Sequence, residues 1–152
     1  MQRVGVTSPA REGLNVDYNK KETMKIYIAG PYSAKPSEFD SGVGHDAARQ
    51  THRNTRKAIW AGIEVMKRGH MVYIPHLSHF IHCEMSGEDM KALPDYPQYW
   101  YHFDNEWLKV CDALLYIGKS TGADSELALA KSLGKIIYYG VGEIPHLVTL
   151  RE

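Results

Sequence analysis

The feature that most constrains the fold is the stretch FDNEWLKVCDALLYIGKSTGADSELALAKSLGKII, residues 103–137. It begins with a helical pattern, continues into an apolar run at 113–117, and turns at Ser-Thr-Gly into a second helical pattern. Another apolar run follows at 136–139. Strands that alternate with helices form parallel sheets, because a crossover element must return the chain to the same edge.

The preceding part of the chain continues this alternation. Residues 25–29 predict a buried strand ended by Gly30-Pro31, 46–68 a helix stopped by Gly69, and 71–74 a second strand. Further helices are expected at 96–110 and 123–132, with a possible last strand at 147–150, whereas 76–92 is ambiguous. The pattern predicts an α/β fold: a flavodoxin-like (Rossmann-like) three-layer sandwich with a parallel sheet of four or five strands.

The chain has 152 residues, a length that suits one domain with a hydrophobic core. Residues 1–23 are polar and lack periodicity, which predicts a flexible N-terminal extension; a short partner-binding arm is the alternative. Residues 24–152 are then expected to form the single domain.

Charge and cysteine content narrow the classes of partner and location. The formal net charge is zero, so long nucleic acid and anionic membranes are not expected as partners. No apolar stretch is long enough to span a bilayer. Cys83 and Cys111 are the only cysteines, and Cys111 lies in an apolar setting, so reduced thiols and a cytoplasmic location are expected.

Two carboxylates fall near the turn that follows the third predicted strand. Asp104 lies on the helix before this strand beside apolar neighbours, which would raise its pKa towards that of a general acid. Glu126 lies near the start of the next helix, where the helix dipole favours the ionised form of a nucleophile. Such a pair is what cleavage of a glycosidic bond needs. The alternatives are a solvated Asp104 paired with a lysine and a capping-box role for Glu126.

Two turns at the carboxyl edge of the predicted sheet could bind a phosphate group. Ser120, Thr121 and Gly122 offer hydroxyls and free amides at a helix start, although a plain N-cap is the alternative. The turn after the first strand adds the second set of candidates: Gly30, Pro31, Tyr32 and Ser33.

Other polar residues suggest weaker roles. Asp112, one residue before the third strand, is a candidate substrate-binding residue, with a structural turn role as the alternative. His76, His79 and His82 have a spacing that does not match a common tetrahedral zinc site. No metal and no redox cofactor is therefore expected.

Taken in order, KIYIAGPYS, RGHMVYIPH and the run D-x-x-W-L-x-x-C-D-A-L-L-Y-I…S-T-G-x-x-x-E-L-A-L-A-x-x-L-G-K resemble the nucleoside 2-deoxyribosyltransferase family. The branch that they resemble most is that of the 2'-deoxynucleoside 5'-monophosphate N-glycosidases. The resemblance covers most of residues 24–140. It implies a small-molecule nucleotide or nucleoside substrate and a homodimer, with which the aromatic residues Trp100 and Tyr101 are consistent.

The resemblance also implies residue roles. Glu126 would be the nucleophile on C1' of the sugar, Asp104 the proton donor to the leaving base, and Tyr32 the residue that orients the glutamate. Ser120 occupies the position at which the glycosidase branch has a phosphate-binding serine and the transferases an aspartate. An aspartate would repel a phosphate, so Ser120 favours a nucleotide substrate.

The sequence departs from that branch in two respects and leaves other functions open. The two residues before Glu126 are Asp124 and Ser125, where a less polar pair is usual. The arginine-containing phosphate loop after the first strand is replaced by GPYSAKPSEFDSGVG, in which Lys35 could supply charge, as could Arg49 beyond it. Nucleoside base exchange is the alternative reaction, and a modified nucleotide is an alternative substrate. A non-catalytic nucleotide-binding module is the alternative from a different class.

Overall fold

The computed structural model describes residues 22–33 and 44–147. In these ranges four parallel strands form one sheet in the order β2-β1-β3-β4. The strands are β1 (Lys25–Ala29), β2 (Met71–Tyr73), β3 (Ala113–Tyr116) and β4 (Ile136–Tyr138). The helices are α1 (Gly44–Lys67), α2 (Ser78–Glu84), α3 (Gly87–Ala92), α4 (Tyr99–Val110) and α5 (Thr121–Ser132).

Successive side chains along a strand point to opposite faces of the sheet, and here both faces carry apolar side chains. Helices therefore cover the sheet on both faces. Ile26 and Ile28 of β1 pack with Ala58 and Val65 of α1 on one face. Tyr27 and Ala29 pack on the other face, against residues of α4 and α5. The three-layer, flavodoxin-like α/β fold predicted from the sequence is confirmed.

Several element boundaries differ from the sequence prediction. Helix α4 begins at Tyr99 rather than at 96, since the chain turns at Asp95, which has a φ of 54°. Helix α5 begins earlier than expected, at Thr121, because the Ser120 side chain caps it. The ambiguous residues 76–92 contain a 3₁₀ turn at Pro75–Leu77 and the short helices α2 and α3.

Parts of the sequence prediction lie outside the described residues. These are the extension up to residue 21, the segment 34–43 that contains Lys35, and residues 148–150 of the possible last strand. Cys111 is buried and Cys83 exposed, and both are free thiols. Within the described ranges, no helix is both long and apolar enough to cross a membrane.

Candidate active site

A cavity of about 430 Å³ opens at the carboxyl ends of β1 and β3. In the strand order β2-β1-β3-β4, the chain runs outward in opposite directions from this pair. Loops that leave such a switch point diverge and leave a crevice, where ligands bind in open α/β sheets. Gly30 follows β1 at the cavity wall, and a Cβ there would lie 2.4 Å from Ile117 Cγ1. Only glycine fits this close approach between the two strand ends.

Glu126 lies in the cavity wall on the second turn of α5. Its Oε1 accepts a hydrogen bond of 2.7 Å from the Tyr27 hydroxyl of β1. The capping-box alternative is wrong, because Ser120 is the N-cap and its side chain accepts from the Ala123 amide. Burial raises the pKa of the Glu126 carboxyl to about 8; the Tyr27 hydrogen bond opposes this rise and the charge of Asp104 adds to it.

Asp104 lines the same cavity from α4. Its Oδ1 atom is buried and has no hydrogen-bond partner among the described residues, so the lysine pairing considered from the sequence is absent there. Burial raises the pKa of this carboxyl to about 7. Trp107, one turn further along α4, stacks on Tyr73 of β2 with ring centroids 5.3 Å apart, which anchors this helix against the sheet.

The two carboxyl groups interact, because the charge of Asp104 disfavours ionisation of Glu126. Their raised pKa values place proton gain and loss near neutral pH. Buried acids with pKa values in this range are characteristic of catalytic sites. In such a pair one carboxylate can attack an electrophile while the other, protonated, supplies a proton to a leaving group.

The tyrosine that contacts Glu126 is Tyr27, and the prediction that Tyr32 does so is wrong. The Tyr32 hydroxyl lies 3.4 Å from His79 Nδ1, because Tyr32 follows the end of β1 and its ring turns towards α2. It still lines the cavity. Tyr27 was detectable in principle, since the period-two alternation of KIYIA places it on the same face of the sheet as α5.

The amino end of α5 supplies a polar wall of the cavity, which includes Ser120, Thr121 and Gly122. The Ser120 hydroxyl oxygen accepts from the Ala123 amide at 3.0 Å, so its proton remains available to a ligand. The nearby Asp124 carboxylate is paired with Lys119 Nζ and the Tyr116 hydroxyl, each at 2.7 Å. The charge of Asp124 is thereby offset beside the helix start.

Three further residues were predicted from the sequence to bind substrate. Ser33 and Pro31 lie at the carboxyl edge of the sheet, and Asp112 lies at the amino edge. Ser33 lines the cavity, while Pro31 is not among the lining residues and its carbonyl lies 3.0 Å from His76 Nε2. The prediction that Asp112 binds substrate is wrong. It precedes β3 at the amino edge of the sheet, opposite the cavity, and its Oδ2 accepts from the Lys25 amide at 2.7 Å.

An aromatic wall lies across the cavity on α2 and α4. His82, Trp100 and Tyr101 line it, with the His82 and Trp100 rings 4.5 Å apart. No group of three or more potential metal ligands occurs in the described ranges, the three histidines 76, 79 and 82 included. No lysine or arginine among the described residues lines the cavity.

The fold and the cavity together define a flavodoxin-like α/β protein with two partly buried carboxylic acids at the switch point of its sheet. No protein-family model matches the chain, and no curated protein matches it.

Proposed function

We propose that the protein hydrolyses the N-glycosidic bond of a 2'-deoxynucleoside or nucleoside 5'-monophosphate. The observation that carries this proposal is the pair of partly buried acids, Glu126 and Asp104, in one cavity with the Tyr27 hydroxyl on the glutamate. The resemblance to nucleoside 2-deoxyribosyltransferases assigns nucleophile and proton donor to these same residues.

In the proposed reaction, a carboxylate oxygen of Glu126 attacks C1' of the sugar and forms a glycosyl ester. The electron pair of the C1'–N bond moves to the base nitrogen, and the base takes up the proton of Asp104. Water then attacks C1' of the ester and gives up a proton to the Asp104 carboxylate, while the C1'–O bond breaks and its electron pair returns to the Glu126 carboxylate. The products are free base and sugar 5-phosphate, and both side chains return to their starting protonation states.

The Tyr27 hydrogen bond favours the ionised form of Glu126, the form that the proposed attack needs, although burial outweighs it in the free protein. A donated hydrogen bond stabilises the ionised form of a carboxylate, and only Glu126 of the two acids accepts one from the described residues. Burial keeps the pKa of Tyr27 above its usual value, so its hydroxyl stays protonated and continues to donate. Asp104 has no such donor, yet the pKa of Glu126, about 8, lies above that of Asp104, about 7, so the free protein holds its proton more tightly on Glu126. The proposed reaction therefore requires this proton to pass to Asp104 when substrate binds.

The two walls of the cavity suit the two ends of a nucleotide. The free amides, dipole and Ser120 hydroxyl at the amino end of α5 suit a phosphate without a lysine. The rings of Trp100 and Tyr101 suit an aromatic base, which stacks on such side chains. Tyr101 is 61% exposed, and the homodimer that the resemblance implies would cover it.

Ser120→Asp is expected to shift the preference from nucleoside monophosphates to nucleosides. Aspartate also caps helices, so α5 should keep its start, whereas its charge would repel the phosphate. We expect the ratio of kcat/KM for a monophosphate to that for its nucleoside to fall by about tenfold or more. Ser120→Asn, which caps without a charge, is the matched control. An unchanged ratio in the aspartate variant would remove Ser120 from the phosphate site.

The proposal as a whole is tested with a panel of ribo- and deoxyribonucleoside 5'-monophosphates and the corresponding nucleosides. Free base is followed by chromatography, with and without a second base present as acceptor. We expect release from monophosphates. Release or exchange with nucleosides alone would identify a deoxyribosyltransferase. Tight binding of a nucleotide without release of base would identify a non-catalytic module.

A further inference from the structure

The three residues that follow β1 have their backbone carbonyl groups bound by side chains. These carbonyl groups belong to Gly30, Pro31 and Tyr32. His76 Nε2 lies 3.1 Å from the Gly30 carbonyl oxygen and 3.0 Å from that of Pro31. Asn54 Nδ2 donates to the Tyr32 carbonyl oxygen at 3.0 Å. The donors come from two different elements, the turn after β2 and helix α1, so this segment is fixed from two sides.

The protonation state of His76 follows from its partners. Both contacts of Nε2 are carbonyl oxygens, which only accept hydrogen bonds, so Nε2 carries a hydrogen. The side chain is 3% exposed, and burial lowers its pKa, so the ring is neutral. Nδ1 therefore has no hydrogen, and it is buried without a partner among the described residues. One tautomer of this ring is selected by the structure.

The orientation of Asn54 is fixed in a similar way. Its side chain is 7% exposed, and its Oδ1 accepts a hydrogen bond of 2.9 Å from Gln50 Nε2 one turn earlier on α1. The amide nitrogen is thereby directed to the Tyr32 carbonyl. A buried amide with both ends occupied has one low-energy orientation. The carbonyl that it holds belongs to a residue of the cavity wall.

We propose that His76 and Asn54 are positioning residues that fix the segment 30–33 as a wall of the binding site and neutralise its carbonyl oxygens. A carbonyl oxygen left unpaired beside an anionic group would repel it, and a buried one would lose a hydrogen bond. With all three carbonyls occupied, an anionic group can lie between this wall and the amino end of α5. The anionic part of the inference rests on the proposed function.

Binding is measured in a Glu126→Gln background, in which substrate is expected not to turn over. The probes are the 2'-deoxynucleoside 5'-monophosphates and their nucleosides, titrated calorimetrically. We expect His76→Met to weaken monophosphate binding by about tenfold, equivalent to one good hydrogen bond, and nucleoside binding far less. His76→Gln, which restores a neutral N–H donor, should recover most of the affinity. Equal binding by the Met variant, or no recovery with Gln, would overturn the proposal.

A second measurement does not depend on any ligand. Nitrogen NMR of the histidine rings should show the Nε2–H tautomer for His76 from about pH 6 to 8, and His76→Met should accelerate amide exchange at Tyr32 and Ser33. The opposite tautomer or unchanged exchange would overturn the positioning role. If the parent binds no nucleotide while these signatures are present, the proposed function fails and the positioning role stands.

Discussion

Glu126→Gln is expected to reduce base release by at least about a thousandfold, because a neutral amide cannot form the ester to C1'. The change keeps the size of the side chain, and its amide oxygen can still accept the Tyr27 hydrogen bond. The loss should therefore be one of chemistry, with the fold retained. It is measured as kcat/KM for the best monophosphate of the panel, with circular dichroism as the check on folding.

The matched control is Glu106→Gln on α4. Glu106 is exposed and pairs with Lys109, so its substitution should leave the rate within about twofold. Rapid quenching of the native protein should also reveal a peptide that contains Glu126 and carries the mass of a sugar phosphate. Retained base release in the Glu126 variant would reduce Glu126 to a structural partner of Tyr27 and end the proposed mechanism.

The fold was predictable because its strands are short apolar runs bounded by strong breakers. KIYIA ends at Gly30-Pro31, and the run at β3 is followed by a glycine and the Ser-Thr-Gly turn. The beginnings of helices α4 and α5 were predicted less well. The first depends on the backbone conformation of Asp95, and the second on which of several residues near 120 serves as the N-cap. Hydrophobic periodicity shows neither of these.

The candidate site was predictable only where it follows from chain order. Asp104 and Glu126 lie on helices that flank one strand, and the parallel topology brings both to its carboxyl end. The partner of Glu126 is 99 residues away in sequence, so the pattern of residues around Glu126 does not identify it. The alternation of sides along β1 does, and it selects Tyr27. The same topology excludes Asp112, since it lies at the other end of that strand.

Glu126→Gln is also expected to make the protein more stable above neutral pH. Between the ordinary pKa of 4.5 and the raised value of about 8, folded protein holds a proton on Glu126 that the unfolded chain has released. The free energy of unfolding of the wild type therefore falls as pH rises through this range. A neutral glutamine does not titrate, so the free energy of unfolding of the variant should exceed that of the wild type by about 2–4 kcal/mol at pH 8. At pH 5 the gain should be about 1 kcal/mol or less.

Urea unfolding at the two pH values measures this difference, and Glu106→Gln again serves as the exposed control with no expected pH-dependent gain. Asp104→Asn should shift stability in the same direction, since burial raises the pKa of that carboxyl from 3.8 to about 7. The double variant should gain less than the sum of the single ones, because the charge of Asp104 is itself one cause of the raised pKa of Glu126.

The stability measurement, combined with the assay of base release, distinguishes a catalytic pair from a structural one. A carboxylate retained to hold the fold would be stabilised by its Tyr27 hydrogen bond, and Glu126→Gln would then lose stability at pH 8. A carboxylate retained for chemistry is kept in spite of the cost of burying its charge, and removal of that charge relieves the cost. A gain in stability together with a loss of base release is the combination that only the second role produces.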